Sequence, residues 1–249
     1  MSKIWEACAA QVQPGPLHGR LYRLVESQEQ IATTEIVDTL DEQAVLEEML
    51  EGTKPPSPAA DDLHYLLRTP FRYPPLPHGS RFGTRTEPSL LYGARGVATM
   101  LAEAAFYRLL FWHGMSKPPS GPITTQHTAF TANYRTERGL RLHAPPFDTY
   151  RETLVSPSDY SETQALGAAM RCAGVEAFEF RSARDPDGGL NIALFTPLAL
   201  ASRRPLNRDR WVCRTEAARV EFLDEAARAV YDFDLSVFLV DGRLPSAAA

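Results

Sequence analysis

Proline limits what this chain can fold into more than any other residue does. Twenty prolines punctuate it, with dense runs at Gly52–Pro58 (GTKPPSP), Pro70–Pro77 (PFRYPPLP) and Ser116–Pro122 (SKPPSGP). A proline ring has no amide proton to donate and clashes with the preceding turn, so these runs are read as neither helix nor central strand. They break the chain into short elements, and no internal repeat or long low-complexity run joins them. The tail PSAAA is read as frayed.

Between the breaks, Gly19–Val25 (GRLYRLV) alternates as a short strand and Asp41–Glu51 as a surface helix with Gly52 as its cap. Ser89–Gly93 reads as a buried strand leading into a helix over Val97–Trp112, which Gly114 ends. A further helix is expected over Ser161–Cys172, capped by Ser158 or Asp159 and stopped by Gly174. Val175–Phe180, Leu190–Phe195, Arg210–Arg214 and Val230–Val240 are β-branched or aromatic and read as strands, with Asp187-Gly188-Gly189 as a hairpin connection. Helices and strands mix without a βαβ rhythm, which implies an α+β fold.

Composition narrows the function classes. With 249 residues the chain can bury roughly three quarters of its unfolded surface without staples. A net charge of −5 argues against whole-surface attraction to nucleic acid or anionic lipid and leaves room for a local basic cleft. Cys8, Cys172 and Cys213 are far apart and form no C-x-x-C pair, as suits a reducing cytoplasm. Glu6 interrupts the N-terminal apolar stretch, so it does not read as a secretory signal. Val97–Trp112 carries Glu103 and Arg108 and is too short to span a bilayer. A cytoplasmic protein is expected.

No G-x-G-x-x-G, Walker A loop or G-x-S-x-G elbow is present, and the six histidines have no metal-ligand spacing. Neither a resident cofactor nor a metal is therefore expected. Isolated polar residues among apolar ones are the remaining signal. Arg23 lies in Leu21-Tyr-Arg-Leu-Val25, on the face opposite Tyr22 and Leu24. A guanidinium near a core needs an anion, from a carboxylate of the protein or from a ligand, and the pattern allows either. Glu103 has Met100, Phe106, Tyr107 and Leu110 as helical neighbours. It is desolvated there unless it faces a cleft or pairs with Arg108 or another arginine. Ser182, in Phe180-Arg-Ser-Ala-Arg184, follows a strand, where a serine is common in turns.

Taken together, the stretches Gly19–Val25, Gly79-Ser-Arg-Phe82, Leu90-Leu-Tyr-Gly-Ala94 with Glu103 eleven residues beyond Tyr92, Phe180–Arg184 and Gly189–Pro197 resemble the RES domain. The resemblance runs over about residues 17–200 of one domain, 1–249, with an insertion over about 26–78 and an extension over about 200–249. Gly83 and Gly93 depart from the family pattern, where an asparagine and a bulkier residue are usual.

The resemblance implies an ADP-ribosyltransferase-like core of antiparallel sheets flanked by helices. It also implies a toxin of a toxin–antitoxin pair that consumes NAD+ as substrate, by hydrolysis or by phosphorolysis with inorganic phosphate. Carried over residue by residue, it makes Arg23, Tyr92 and Glu103 catalytic, with Ser182, Arg81 and Tyr22 binding NAD+. The implied partner is an Xre-type helix-turn-helix antitoxin covering the site, with no direct nucleic acid or membrane contact. A homo-oligomer within that complex is compatible with it. Transfer of ADP-ribose to a protein or nucleic acid, or a catalytically silent module that binds the helix-turn-helix partner, are the alternatives.

Overall fold

The computed structural model describes residues 2–27, 37–53 and 62–246. Helix α1 (Lys3–Cys8) opens on Ser2, whose hydroxyl accepts from the Trp5 amide at 3.3 Å. Strand β1 (Gly15–Glu26), helices α2 (Leu40–Thr53) and α3 (Tyr65–Arg72), strand β2 (Leu91–Ala94) and helix α4 (Val97–Gly114) follow. Then come β3 (Ile123–Arg141), α5 (Arg151–Leu154), α6 (Ser161–Cys172), β4 (Ala177–Arg181), β5 (Leu190–Leu194), β6 (Asn207–Thr215), β7 (Arg219–Asp224) and β8 (Ala229–Asp234).

The fold is α+β. Its strands form one sheet in the order β1-β2-β5-β4-β3-β6-β7-β8, antiparallel except where β3 and β4 run parallel. Because β1 also pairs with β3, from Gly15 against Gly139 to Glu26 against His127, the strands β1-β2-β5-β4-β3 close on themselves. The opposite end of β3 carries β6, β7 and β8 as an open extension.

Alternation along β1 sends its two faces to different cores. Leu17, Leu21 and Val25 pack with Leu66, Leu67 and Phe71 of α3, whereas Tyr22 and Leu24 pack with Leu101, Ala105 and Phe106 of α4. A third cluster joins α1 and α6 to Phe178 and Phe180 of β4. Each fully buried leucine or phenylalanine contributes roughly 1.5–3 kcal/mol. Inside the ring, Glu179 is 3 % exposed and is held by Arg95, by the Tyr134 hydroxyl at 2.6 Å and by His143 at 3.3 Å. Burial followed by the Glu179 contact pushes the Tyr134 hydroxyl well above its usual value.

Several sequence expectations need correction. Helix α3 runs through Pro70, which the proline rule had excluded. Pro70 lies in the last turn of an eight-residue helix, so its missing amide costs one bond near an end that packing of Leu66, Leu67 and Phe71 fixes. Gly52 lies within α2 rather than capping it, and residues 54–58 of the first proline run are outside the described residues. The strand expected over Val230–Val240 ends at Asp234, and Leu235–Phe238 form a 3-10 turn. Helix α6 has the expected bounds, but its N-cap is Tyr160 rather than Ser158 or Asp159; the Asp159 carboxylate accepts from the Ser161 amide at 2.9 Å, one residue before the cap. Strands β3 and β7 were not anticipated. Among the described residues no helix is long and apolar enough to cross a membrane.

Candidate functional site

Strand β2 and helix α4 form a strand–turn–helix unit in which Tyr92 and Glu103 come to face the same space. The ten residues between them comprise the end of a strand, a turn at Arg95–Gly96 and nearly two helical turns. Beside them β1 and β2 are paired at a single register, Tyr22 with Ala94, after which the strands part. A cavity of about 270 Å³ opens at that parting. Its lining brings together Tyr22, Arg23, Arg81, Tyr92 and Glu103. These five come from three separate stretches of sequence.

Arg23 bridges the parted strands, with Nη1 donating to the Tyr92 carbonyl at 2.7 Å. It makes no ion pair with any described residue, so the carboxylate-paired alternative does not hold among them. Burial lowers its pKa to about 10, the mark of a cation held away from water without a counter-charge. The guanidinium therefore remains open to an anion from outside the chain.

Glu103 does not pair with Arg108, which turns instead to Glu26 at 3.3 Å and to Thr215. Its Oε1 accepts from the Ser182 hydroxyl and from Asn191 Nδ2, each at 2.6 Å. The direction of the first bond follows from valence. The Ser182 oxygen already accepts from the Arg184 and Asp185 amides, both at 3.0 Å, so its one proton has only Glu103 to go to. Both bonds fall on Oε1 and leave Oε2 for the cavity.

Ser182 itself is 5 % exposed and sits behind Glu103, not in the cavity lining. Its hydroxyl has no valence left for a substrate, so the direct contact expected of it is replaced by support of the carboxylate. Asn191, on β5 beside Phe180, was not anticipated as a site residue. A lone amide in the apolar run Leu190–Phe195 was the available signal, since a buried amide needs a partner.

The Tyr92 hydroxyl contacts Ser80 Oγ at 3.0 Å and accepts from the Phe82 amide at 3.1 Å, which ties β2 to the turn carrying Arg81. Burial raises its pKa, outweighing the opposing hydrogen bonds and the nearby Arg81 and Arg171 charges. Arg81 donates from Nη1 to the carbonyls of Ser156 at 2.7 Å and Leu154 at 3.3 Å, and lies 4.4 Å over the Tyr160 ring. Arg184, also unanticipated, lines the cavity while stacking 3.5 Å over Phe106 and donating to Pro157 and Tyr160. The lining thus carries three guanidiniums and the single carboxylate of Glu103.

The two glycines that depart from the family pattern have local causes. A Cβ on Gly93 would come within 3.1 Å of the Leu21 side chain, where β1 and β2 approach, and one on Gly83 within 2.8 Å of Leu90. Neither glycine blocks the cavity.

The family model described as RES domain matches residues 57–216. That interval contains Arg81, Tyr92, Glu103 and Ser182, while β1 with Tyr22 and Arg23 precedes it. No curated protein matches the chain.

Proposed function

The chain belongs to the RES-domain family, and from that membership and the geometry of its cavity we propose that it degrades NAD+ by cleaving the nicotinamide–ribose bond. The observation that carries this reading is the Glu103 carboxylate, oriented by Ser182 and Asn191 and directed at a cavity walled by Tyr92 and three guanidiniums.

In the reaction the bond between C1′ of the ribose and the nicotinamide nitrogen breaks, and its electron pair leaves with nicotinamide. Positive charge develops on the ribose, as in glycoside cleavage. The free Glu103 oxygen accepts a hydrogen bond from a ribose hydroxyl and stabilises that charge, an interaction stronger in the transition state than in the ground state. The Tyr92 ring packs against the nicotinamide or its ribose. Arg23, with Arg81 and Arg184 nearby, holds the diphosphate. Water then bonds to C1′ and loses a proton, giving ADP-ribose; inorganic phosphate bonding there gives the 1-phosphate ester instead.

In the cell this activity makes the chain a toxin that depletes NAD+ and arrests growth in the cytoplasm. A helix-turn-helix antitoxin covering the cavity holds it in check. NAD+ is a substrate here, so no glycine-rich cofactor loop is required. Expression of the chain without its partner tests the reading: the NAD+ pool falls and growth stops, and Arg23→Ala or Glu103→Ala, shown to be folded, abolishes both. Normal growth arrest by either variant would overturn it.

A further inference from the structure

A second cavity, of about 380 Å³, lies on the other side of β1 and shares Arg23 with the first. Alternation places Tyr22 and Leu24 on the α4 side of the strand and Val25 and Ser27 on the α3 side. Arg23 stands in the notch where β1 and β2 part and lines both cavities. The first cavity, at about 270 Å³, falls below the roughly 300–1,000 Å³ of drug-sized ligand sites, whereas the second, at about 380 Å³, lies within that range.

The chemistry of the second cavity suits a nucleoside. Tyr65 is 51 % exposed beside it and offers a ring face, with Leu66 and Pro70 forming an apolar wall. Asp209 makes no ion pair with a described residue and can accept from a ribose diol, while Arg208 adds positive charge at the mouth. Arg208 and Arg204, after burial, lower the pKa of His64, whose ring lies 4.6 Å from that of Tyr65.

We propose that this second cavity is the adenosine subsite of a dinucleotide that passes through the β1–β2 notch. The diphosphate lies on Arg23, and the nicotinamide riboside lies on the Glu103 side. The inference rests on the NAD+ reading above and extends it to a specificity: the α3 cavity selects a dinucleotide over a mononucleotide.

The test fills the second cavity without touching the first. Thr69 lines it on the exposed side of α3, so Thr69→Trp occupies the space while sparing the core. ADP is the probe for binding, and nicotinamide release is compared for NAD+ and for nicotinamide mononucleotide. Thr69→Trp is expected to weaken ADP and raise the KM for NAD+ by about tenfold or more, with cleavage of the mononucleotide unchanged. That unchanged cleavage also reports a folded first cavity. Arg208→Glu serves as a second variant and is expected to weaken ADP in the same direction.

Failure of ADP to bind the full chain, or equal binding by wild type and both variants, would overturn the subsite. A protein that releases no nicotinamide from either substrate removes the NAD+ reading alone, because the ADP titration still decides the subsite.

Discussion

The Ser182 hydroxyl lies 2.6 Å from Oε1 of Glu103, across 79 positions of sequence. Two backbone amides, those of Arg184 and Asp185, occupy the acceptor side of the same hydroxyl. Helix α4 and the end of β4 are thereby joined through one proton whose direction is settled by valence. Asn191 adds a second donor to the same carboxylate oxygen. Glu103 is consequently held in one orientation before any ligand arrives, which is what charge stabilisation in a transition state requires.

Support of this kind separates two classes of variant. Glu103→Gln is expected to lower kcat for nicotinamide release by about a thousandfold. Ser182→Ala and Asn191→Ala act through Glu103 and are expected to lower kcat by about tenfold to a hundredfold. Steady-state kinetics on folded protein checks this, and KM should stay near its wild-type value in the two supporting variants. A rise in KM with unchanged kcat would place Ser182 and Asn191 in binding instead.

Arg23 carries the second expectation. Burial depresses its pKa to about 10, yet it remains charged at neutral pH. Lysine ordinarily titrates about two pH units below arginine, so the same burial brings its ammonium close to the working range. The charge of an Arg23→Lys variant is present below its depressed pKa and lost as pH rises through it. Activity of that variant should therefore fall between neutral and mildly alkaline pH while the wild type holds. Parallel profiles for the two proteins would contradict the account of Arg23.

Tyr92 combines a ring in the cavity with a hydroxyl bound to the Ser80–Phe82 turn. Tyr92→Phe keeps the ring and leaves the Phe82 amide without its acceptor, at a cost of about 1–3 kcal/mol. Denaturant unfolding should show that loss. Turnover should suffer far less than in Tyr92→Ala, which removes the ring as well.

Stability should also depend on His127. It is 6 % exposed, and burial, with Arg108 nearby, lowers its pKa to about 4. The folded state thus holds the ring neutral. Its contribution is fully present above the unfolded value near 6.5 and is lost as pH falls toward 4. The shift corresponds to up to about 3 kcal/mol. His127→Gln should flatten this part of the pH–stability curve in urea titrations, and an unchanged slope would refute it.

Much of the fold could be read from local pattern, and its failures share a cause. Strand β1 stood out by its alternation, helix α4 by a long apolar run ended at Gly114, and helix α6 by the Gly174 stop that follows it. Strand β3 escaped because Ile123–Arg141 is rich in Thr and Arg and shows little apolar alternation. Its stability comes from long-range partners on β1, β4 and β6 that no local window contains. Helix α3 escaped because Pro70 masks it, although tertiary packing outweighs one missing bond.

The site divides in the same way. Arg23 and Glu103 were visible as charges on apolar faces, a signal that burial makes physical. Ser182 was visible in the pattern only as a serine after a strand, the family resemblance alone gave it a role, and its link to Glu103 depends on the β4–α4 approach. Arg184 and Asn191 lay within the recognised stretches, yet their neighbours did not mark them out. Their importance arises from Phe106 and Glu103, which only the fold brings beside them.

The most direct measurement mixes the purified chain with NAD+, with and without inorganic phosphate, and follows nicotinamide release beside folded Glu103→Gln. The account predicts release by the wild type and loss of about a thousandfold in the variant. Phosphate dependence then distinguishes phosphorolysis from hydrolysis. Absence of release from folded, partner-free protein, or equal release by both proteins, would contradict it.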